Sequence, residues 1–126
     1  MWYFTPIGFY SVVQFGAFSA PDPFMMIRSR DRTHLERLQQ AFPRELALSP
    51  ILDTPERDYP FRLLCTKAEW IMVASGLAAR IDYPNFKDEA AVVSGGQDSR
   101  YMDAVHEVWS TVWDAYKDTR PPVESA

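Results

Sequence analysis

The first 21 residues carry no charged side chain, and that run limits what the chain can begin with. Such a stretch either enters a membrane or export pathway or is buried in a core. Its end, Ala17-Phe18-Ser19-Ala20, loosely mimics a signal-peptidase site. No basic flank precedes it, however, since the first Lys or Arg is Arg28. Pro6 and Gly8 interrupt the apolar residues, and Thr5, Ser11, Gln14 and Ser19 dilute them. Phe9, Tyr10, Val12, Val13 and Phe15 are β-formers. The run therefore reads as a buried strand, Ile7–Phe15, extended back toward Trp2 with a break near Pro6-Ile7-Gly8. On this reading the chain is cytoplasmic and has no membrane partner. A lone cysteine, Cys65, suits that reducing setting.

Beyond this run the punctuation is regular. Residues 16–23 are rich in turn formers. Phe24–Arg30 reads as a second strand, with Phe24, Met26, Arg28 and Arg30 on one face and Met25, Ile27 and Ser29 on the other. A helix follows, capped by Asp31 or by a Thr33–Glu36 capping box. Its stripe is Leu35, Leu38 and Phe42, and Pro43 stops it. Pro50–Thr54 and Tyr59–Cys65 read as strands three and four, with Tyr59, Phe61, Leu63 and Cys65 sharing a face. Thr66 to Glu69 forms a second capping box, opening a helix with the stripe Trp70, Val73, Leu77 and Ile81. Asp82 to Lys87 is a turn that starts a short helix at Pro84, running through Val93. Ser94 to Gln97 breaks it. Asp98 or Ser99 caps a last helix with the stripe Met102, Val105, Val108, Trp109, Val112 and Tyr116.

The order is ββαββα with an extra C-terminal helix. It predicts an α+β fold: a four-stranded antiparallel sheet with its helices on one face. A circularly permuted ferredoxin-like sandwich has this order. The chain of 126 residues predicts one domain, 1–118, with a frayed tail at 119–126.

Composition excludes several function classes. Eighteen aromatics, as 4 Trp, 6 Tyr and 8 Phe, with 47% hydrophobic residues exclude a disordered chain. One cysteine excludes an internal disulfide framework and a multi-cysteine zinc site. The net charge of −4 argues against a protein built to coat nucleic acid. The charge is uneven. Residues 1–63 balance seven bases against seven acids, whereas residues 64–126 hold six bases and ten acids.

Three segments carry a resemblance. They are Phe4-Thr5-Pro6-Ile7-Gly8-Phe9-Tyr10-Ser11-Val12-Val13-Gln14, then Asp58-Tyr59-Pro60-Phe61-Arg62, then Asp82-Tyr83-Pro84-Asn85-Phe86-Lys87. With the strand end Arg28-Ser29-Arg30, the chain resembles a widespread family of small uncharacterised bacterial proteins over most of residues 2–116. No activity is established for that family, so the resemblance implies no catalytic residue. This chain departs from it in a longer loop at 16–23 and a Gly-Gly stretch at 95–96.

No catalytic residue, cofactor or metal ligand set emerges from the sequence. His34, near Asp31 and Arg32, is what any polar helix start offers. His106 and Asp103 supply two ligands where a metal needs more. Gly95-Gly96 follows a helix and lacks the Gly-Lys-Ser/Thr ending of a phosphate loop. Cys65 reads as structural. Two candidate surfaces remain. Arg28, Arg30 and Arg62, with Lys87, form a candidate anion face, since guanidinium groups bind phosphate and carboxylate bidentately. Beside Tyr3, Tyr10 or Tyr59 they would make a base-stacking sheet. The bland alternative is surface ion pairing with Asp31, Glu56 or Asp58. Trp109, Trp113 and Tyr116 are candidate anchors for a protein partner or a second copy. The leading expectation is a non-catalytic protein-interaction module, regulatory or inhibitory, of bacterial or phage origin. An RNA- or phosphate-binding domain is the alternative.

Overall fold

The computed structural model describes residues 1–16, 23–93 and 99–119. The turn at 17–22, the Ser94 to Gln97 break, the Asp98 cap and the tail at 120–126 lie outside the described residues. The fold is α+β with an antiparallel sheet. Among the described residues the elements are β1 (Trp2–Thr5), β2 (Gly8–Phe15), β3 (Phe24–Ser29), α1 (Arg32–Ala41), α2 (Pro43–Leu46), β4 (Leu52–Asp53), β5 (Phe61–Thr66), α3 (Lys67–Ala79), α4 (Phe86–Val93) and α5 (Ser99–Tyr116). The sheet order is β1-β2-β3-β5-β4.

Five strands stand where four were expected. The N-terminal run does not extend as one strand; it folds back at Pro6-Ile7. Thr5 pairs with Gly8, and Trp2 with Ser11. Thr5 Oγ1 closes this turn, accepting from the Gly8 N–H at 3.1 Å and donating to the Gly8 carbonyl at 2.8 Å. Gly8 is needed there. Its φ is +156°, and a Cβ would lie 2.5 Å from His34 Cγ.

Alternation sets the two sheet faces. Tyr10, Val12, Ile27, Leu63 and Cys65 point to one side, where Leu35, Leu38 and Phe42 close over them with Trp70 and Val73 of α3. Asp31, not Thr33, caps α1: its Oδ1 accepts from the Thr33 N–H at 2.9 Å. The Thr33 hydroxyl donates to the same oxygen, so the expected box at Thr33 does not form. The Thr66–Glu69 box does form, reciprocally. In α3, Trp70 and Val73 are buried, but Ile81 lies past the helix end and is exposed.

The helices are not all on one face. Phe4 and Phe9 pair across β1 and β2 and stack at 4.5 Å on the side opposite Tyr10. Ala90 of α4 and Tyr101 and Val105 of α5 cover them. Phe86 joins this second cluster. Two exposed phenylalanines on the far face need cover, and the α4–α5 pair supplies it. The helix α4 begins at Phe86, with Asn85 Oδ1 accepting from the Asp88 N–H; Pro84 lies before it and is not its first residue.

Two outcomes follow. Gly8→Ala should cost about 3 kcal/mol in urea unfolding, because strain at positive φ adds to a clash with a buried ring. The Cys65 thiol is buried, and burial followed by Glu69 pushes its pKa up to about 12. The native thiol should therefore resist a disulfide reagent at pH 8 and react once unfolded. The unfolded thiol ionises near its ordinary value, while the folded one keeps its proton to about 12. Between those limits the folded state binds more protons, so stability should fall as pH rises through that window.

Candidate functional site

On the sheet face away from the main core, β3 alternation sends Arg28 outward, between Ser11 of β2 and Arg62 of β5. Tyr59 was expected beside Phe61 on the core face. It lies instead against the arginines. The Arg28 Cζ is 4.7 Å and the Arg30 Cζ 5.0 Å from its ring centroid. The reason is local: Pro60 separates Tyr59 from β5, so strand alternation does not reach it. The Tyr59 ring is also tilted against Phe9, 6.5 Å between centroids. Arg62 Nε donates to the Tyr59 carbonyl at 3.2 Å, and its Nη1 reaches the Met26 sulfur at 3.2 Å. Its Nη2 stands 3.9 Å from Asp58 Oδ1. Arg28 Nη2 donates to Ser11 Oγ at 2.7 Å, while Arg28 Nε is buried without a hydrogen-bond partner.

Three of the four candidate anion residues thus come together. Their charges are largely engaged: Arg28 and Arg30 embrace one aromatic ring, and Arg62 ties down the loop that carries it. Tyr3 and Tyr10 lie on the core side and do not join them. Lys87 stands elsewhere. It sits on α4 with its Nζ 5.2 Å from the Trp109 ring centroid.

The candidate interface residues are placed by one end of α5. The Tyr101 hydroxyl donates to the Thr5 carbonyl at 2.7 Å, and its ring meets His34 at 4.9 Å. Val105 completes the buried part of the helix. Beyond it the stripe is exposed. Trp109 is 54% exposed, Trp113 42% and Tyr116 65%, with Val108 and Val112 exposed beside them. The rings form a ladder: His106 stacks on Trp109 at 6.1 Å, and Trp109 on Trp113 at 6.0 Å with planes 3° apart. The apolar stripe of α5 is core around Tyr101 and Val105 and surface thereafter.

His34 is buried and structural. Its Nδ1 accepts the Phe9 N–H at 3.3 Å, and its Nε2 stands 3.9 Å from Asp31 Oδ2. His106 is exposed on α5. Among the described residues no three His, Cys, Asp or Glu side chains gather to hold a metal. No helix among them is long and apolar enough to cross a membrane. A cavity of about 470 Å³ runs along β1 and is walled by Leu77 and Ile81 with Glu89 and Val93. Arg80 at its rim is held by the Ala41 carbonyl and the Phe42 ring. A second, about 330 Å³, opens between α4 and α5 at Phe86, Lys87 and Trp109.

Tyr59 tests the cluster, since both guanidinium groups close on its ring. Tyr59→Leu should cost about 2 kcal/mol and more at low ionic strength, because it strips the ring from between crowded guanidinium groups. Tyr59→Phe keeps the ring face and should cost less than about 1 kcal/mol. Urea titrations at two salt concentrations check both.

No family model matches this chain, and no curated protein or solved structure matches it, so its own geometry carries the functional argument.

Proposed function

We propose that this chain is a non-catalytic protein-interaction module, regulatory or inhibitory, of bacterial or phage origin, which receives its partner on the outer part of α5. One observation carries the reading: past Val105 the helix presents Val108, Trp109, Val112, Trp113 and Tyr116 to solvent as one stripe. Their exposed surface is roughly 500 Å², at the upper end of what a monomer shows as one patch. Covering it is worth on the order of 10 kcal/mol before the costs of association. Trp and Tyr are the residues that anchor interfaces most often. The buried free thiol of Cys65 supports a cytoplasmic setting. The order β2-β3-β5-β4 supports reading the core sheet as a permuted ferredoxin-like sandwich to which β1 is added.

A second reading, RNA or a phosphate ligand on Arg28, Arg30 and Arg62, is favoured by their gathering on one sheet face. It carries less weight because Arg28 and Arg62 already hold Ser11, the Tyr59 carbonyl and Asp58. Lys87 does not join them.

A photoreactive residue at Val112, introduced in the expressing cell, decides between the readings. The expected outcome is one dominant protein adduct that is lost in Trp109→Ala/Trp113→Ala, with none from a probe at Arg44. Absence of an adduct at 112, or RNA cross-linked through the arginine face with steep salt dependence, would overturn it.

A further inference from the structure

The chemistry of the partner can be read from what borders the stripe. This inference rests on the interaction reading above and specifies it. On α5, His106, Trp109, Trp113 and Lys117 follow at i, i+3, i+7 and i+11, one ridge along the helix and its last turn. Lys87 of α4 lies against the same ridge, over the Trp109 ring. The acidic side chains of this segment, Asp103, Glu107 and Asp118, fall on the opposite side by helical spacing. Asp114 also falls there and reaches toward Lys117 at 3.7 Å. Lys87 therefore stands against the stripe as a base, whereas Lys117 is paired with Asp114, on a protein whose net charge is −4.

The stripe also ends in a socket. The cavity of about 330 Å³ between α4 and α5 is floored by Phe4, Phe86 and Val105 and rimmed by Lys87 and Trp109. A cavity of that size takes one large apolar side chain. From it the exposed surface continues along Val108, Val112 and Tyr116, straight and about 12 Å long at helical rise.

We infer that the partner is an amphipathic helix that inserts one large apolar residue into the α4–α5 socket and sets Asp or Glu beside it, facing Lys87. A helix fits because its i, i+3, i+4, i+7 anchors track a neighbouring helix ridge. Acidic flanks fit because they meet Lys87 over the Trp109 ring. A second copy of this chain does not fit as well, since antiparallel pairing of two α5 stripes would bring one basic border against the other.

The test uses the full chain and a phage-displayed library of amphipathic helices. Each carries Leu or Phe at the four anchor positions, and the flanking positions vary among Glu, Lys and Ser. The expected result is enrichment of Glu beside the anchors on the native chain and of Lys on Lys87→Glu. For a selected acidic peptide, Lys87→Glu should weaken binding about threefold to tenfold, the range for a rim charge. Trp109→Ala should weaken it more than about 30-fold, as for a buried anchor. Circular dichroism confirms that both variants fold. No enrichment over an empty display, or the same flank charge selected by both chains, would overturn the inference. If that occurs while the probe at Val112 still captures a protein, the acidic-helix assignment falls and the interaction reading stands. If the probe also captures nothing, both fall.

Discussion

The His34 ring lies so close under Gly8 that no side chain fits between them, and three separate elements are fixed by that contact. The ring belongs to the first turn of α1. Its Nδ1 accepts the Phe9 N–H and so holds the start of β2. Its backbone carbonyl accepts the Tyr10 hydroxyl from below the sheet. Its other side meets the Tyr101 ring, whose hydroxyl returns to the Thr5 carbonyl at the end of β1. A hairpin turn, the main helical layer and the base of α5 are thereby tied at one buried group. Without the glycine the turn cannot approach α1, and without that approach Tyr101 has nothing to brace α5. Among the described residues, α5 is buried at this end by Tyr101 and Val105, while Trp109 and Trp113 beyond it stay partly exposed.

The far sheet face is managed differently at its two ends. Near the β1–β2 turn, Phe4 and Phe9 are covered by α4 and α5. Further along, the cover is not a helix but the 54–60 loop, pinned by side chains. Thr54 holds its two ends together through the Pro60 carbonyl, and Arg62 holds the Tyr59 carbonyl. Arg28 and Arg30 then close on the Tyr59 ring. Guanidinium groups suit this role, since they are weakly hydrated and stack on aromatic faces. Phe15 and Phe24 at the other end of the face stay half exposed.

What could be read from sequence is what depends on neighbours along the chain. The Thr66–Glu69 box, the stop at Pro43, the faces of β3 and the burial of Leu35 and Leu38 are local, and each is found. The misreadings are tertiary. Pro6-Ile7 was a break in one strand by composition; whether the chain bends or reverses there is decided by Thr5 Oγ1 closing on Gly8 and by His34 below it. Tyr59 follows the alternation of β5 only if the strand runs through Pro60, which it does not. The arginine gathering was legible as far as the β3–β5 register allowed. Lys87 was grouped with it by motif similarity, which carries no spatial information.

The stripe of α5 shows why periodicity alone leaves function open. Met102, Val105, Trp109, Val112 and Tyr116 repeat with a spacing that fits a buried helix along its whole length. The hydrophobic pattern says that the face is covered and does not say by what. Among the described residues, Ala90, Phe4, Phe9 and Phe86 cover its first part, around Tyr101 and Val105. The rest of the pattern, from Val108 to Tyr116, is exposed. Chance exposure of apolar residues scatters them singly over a surface. Here they continue the register of the buried part, two tryptophans stack in parallel, and a lysine from a neighbouring helix lies against one of them. Placing the acids on the far side keeps that stripe free of buried carboxylates and gives the helix a hydrated back. The helix joins the core through Tyr101 and Val105 and carries the same register onward as an exposed stripe.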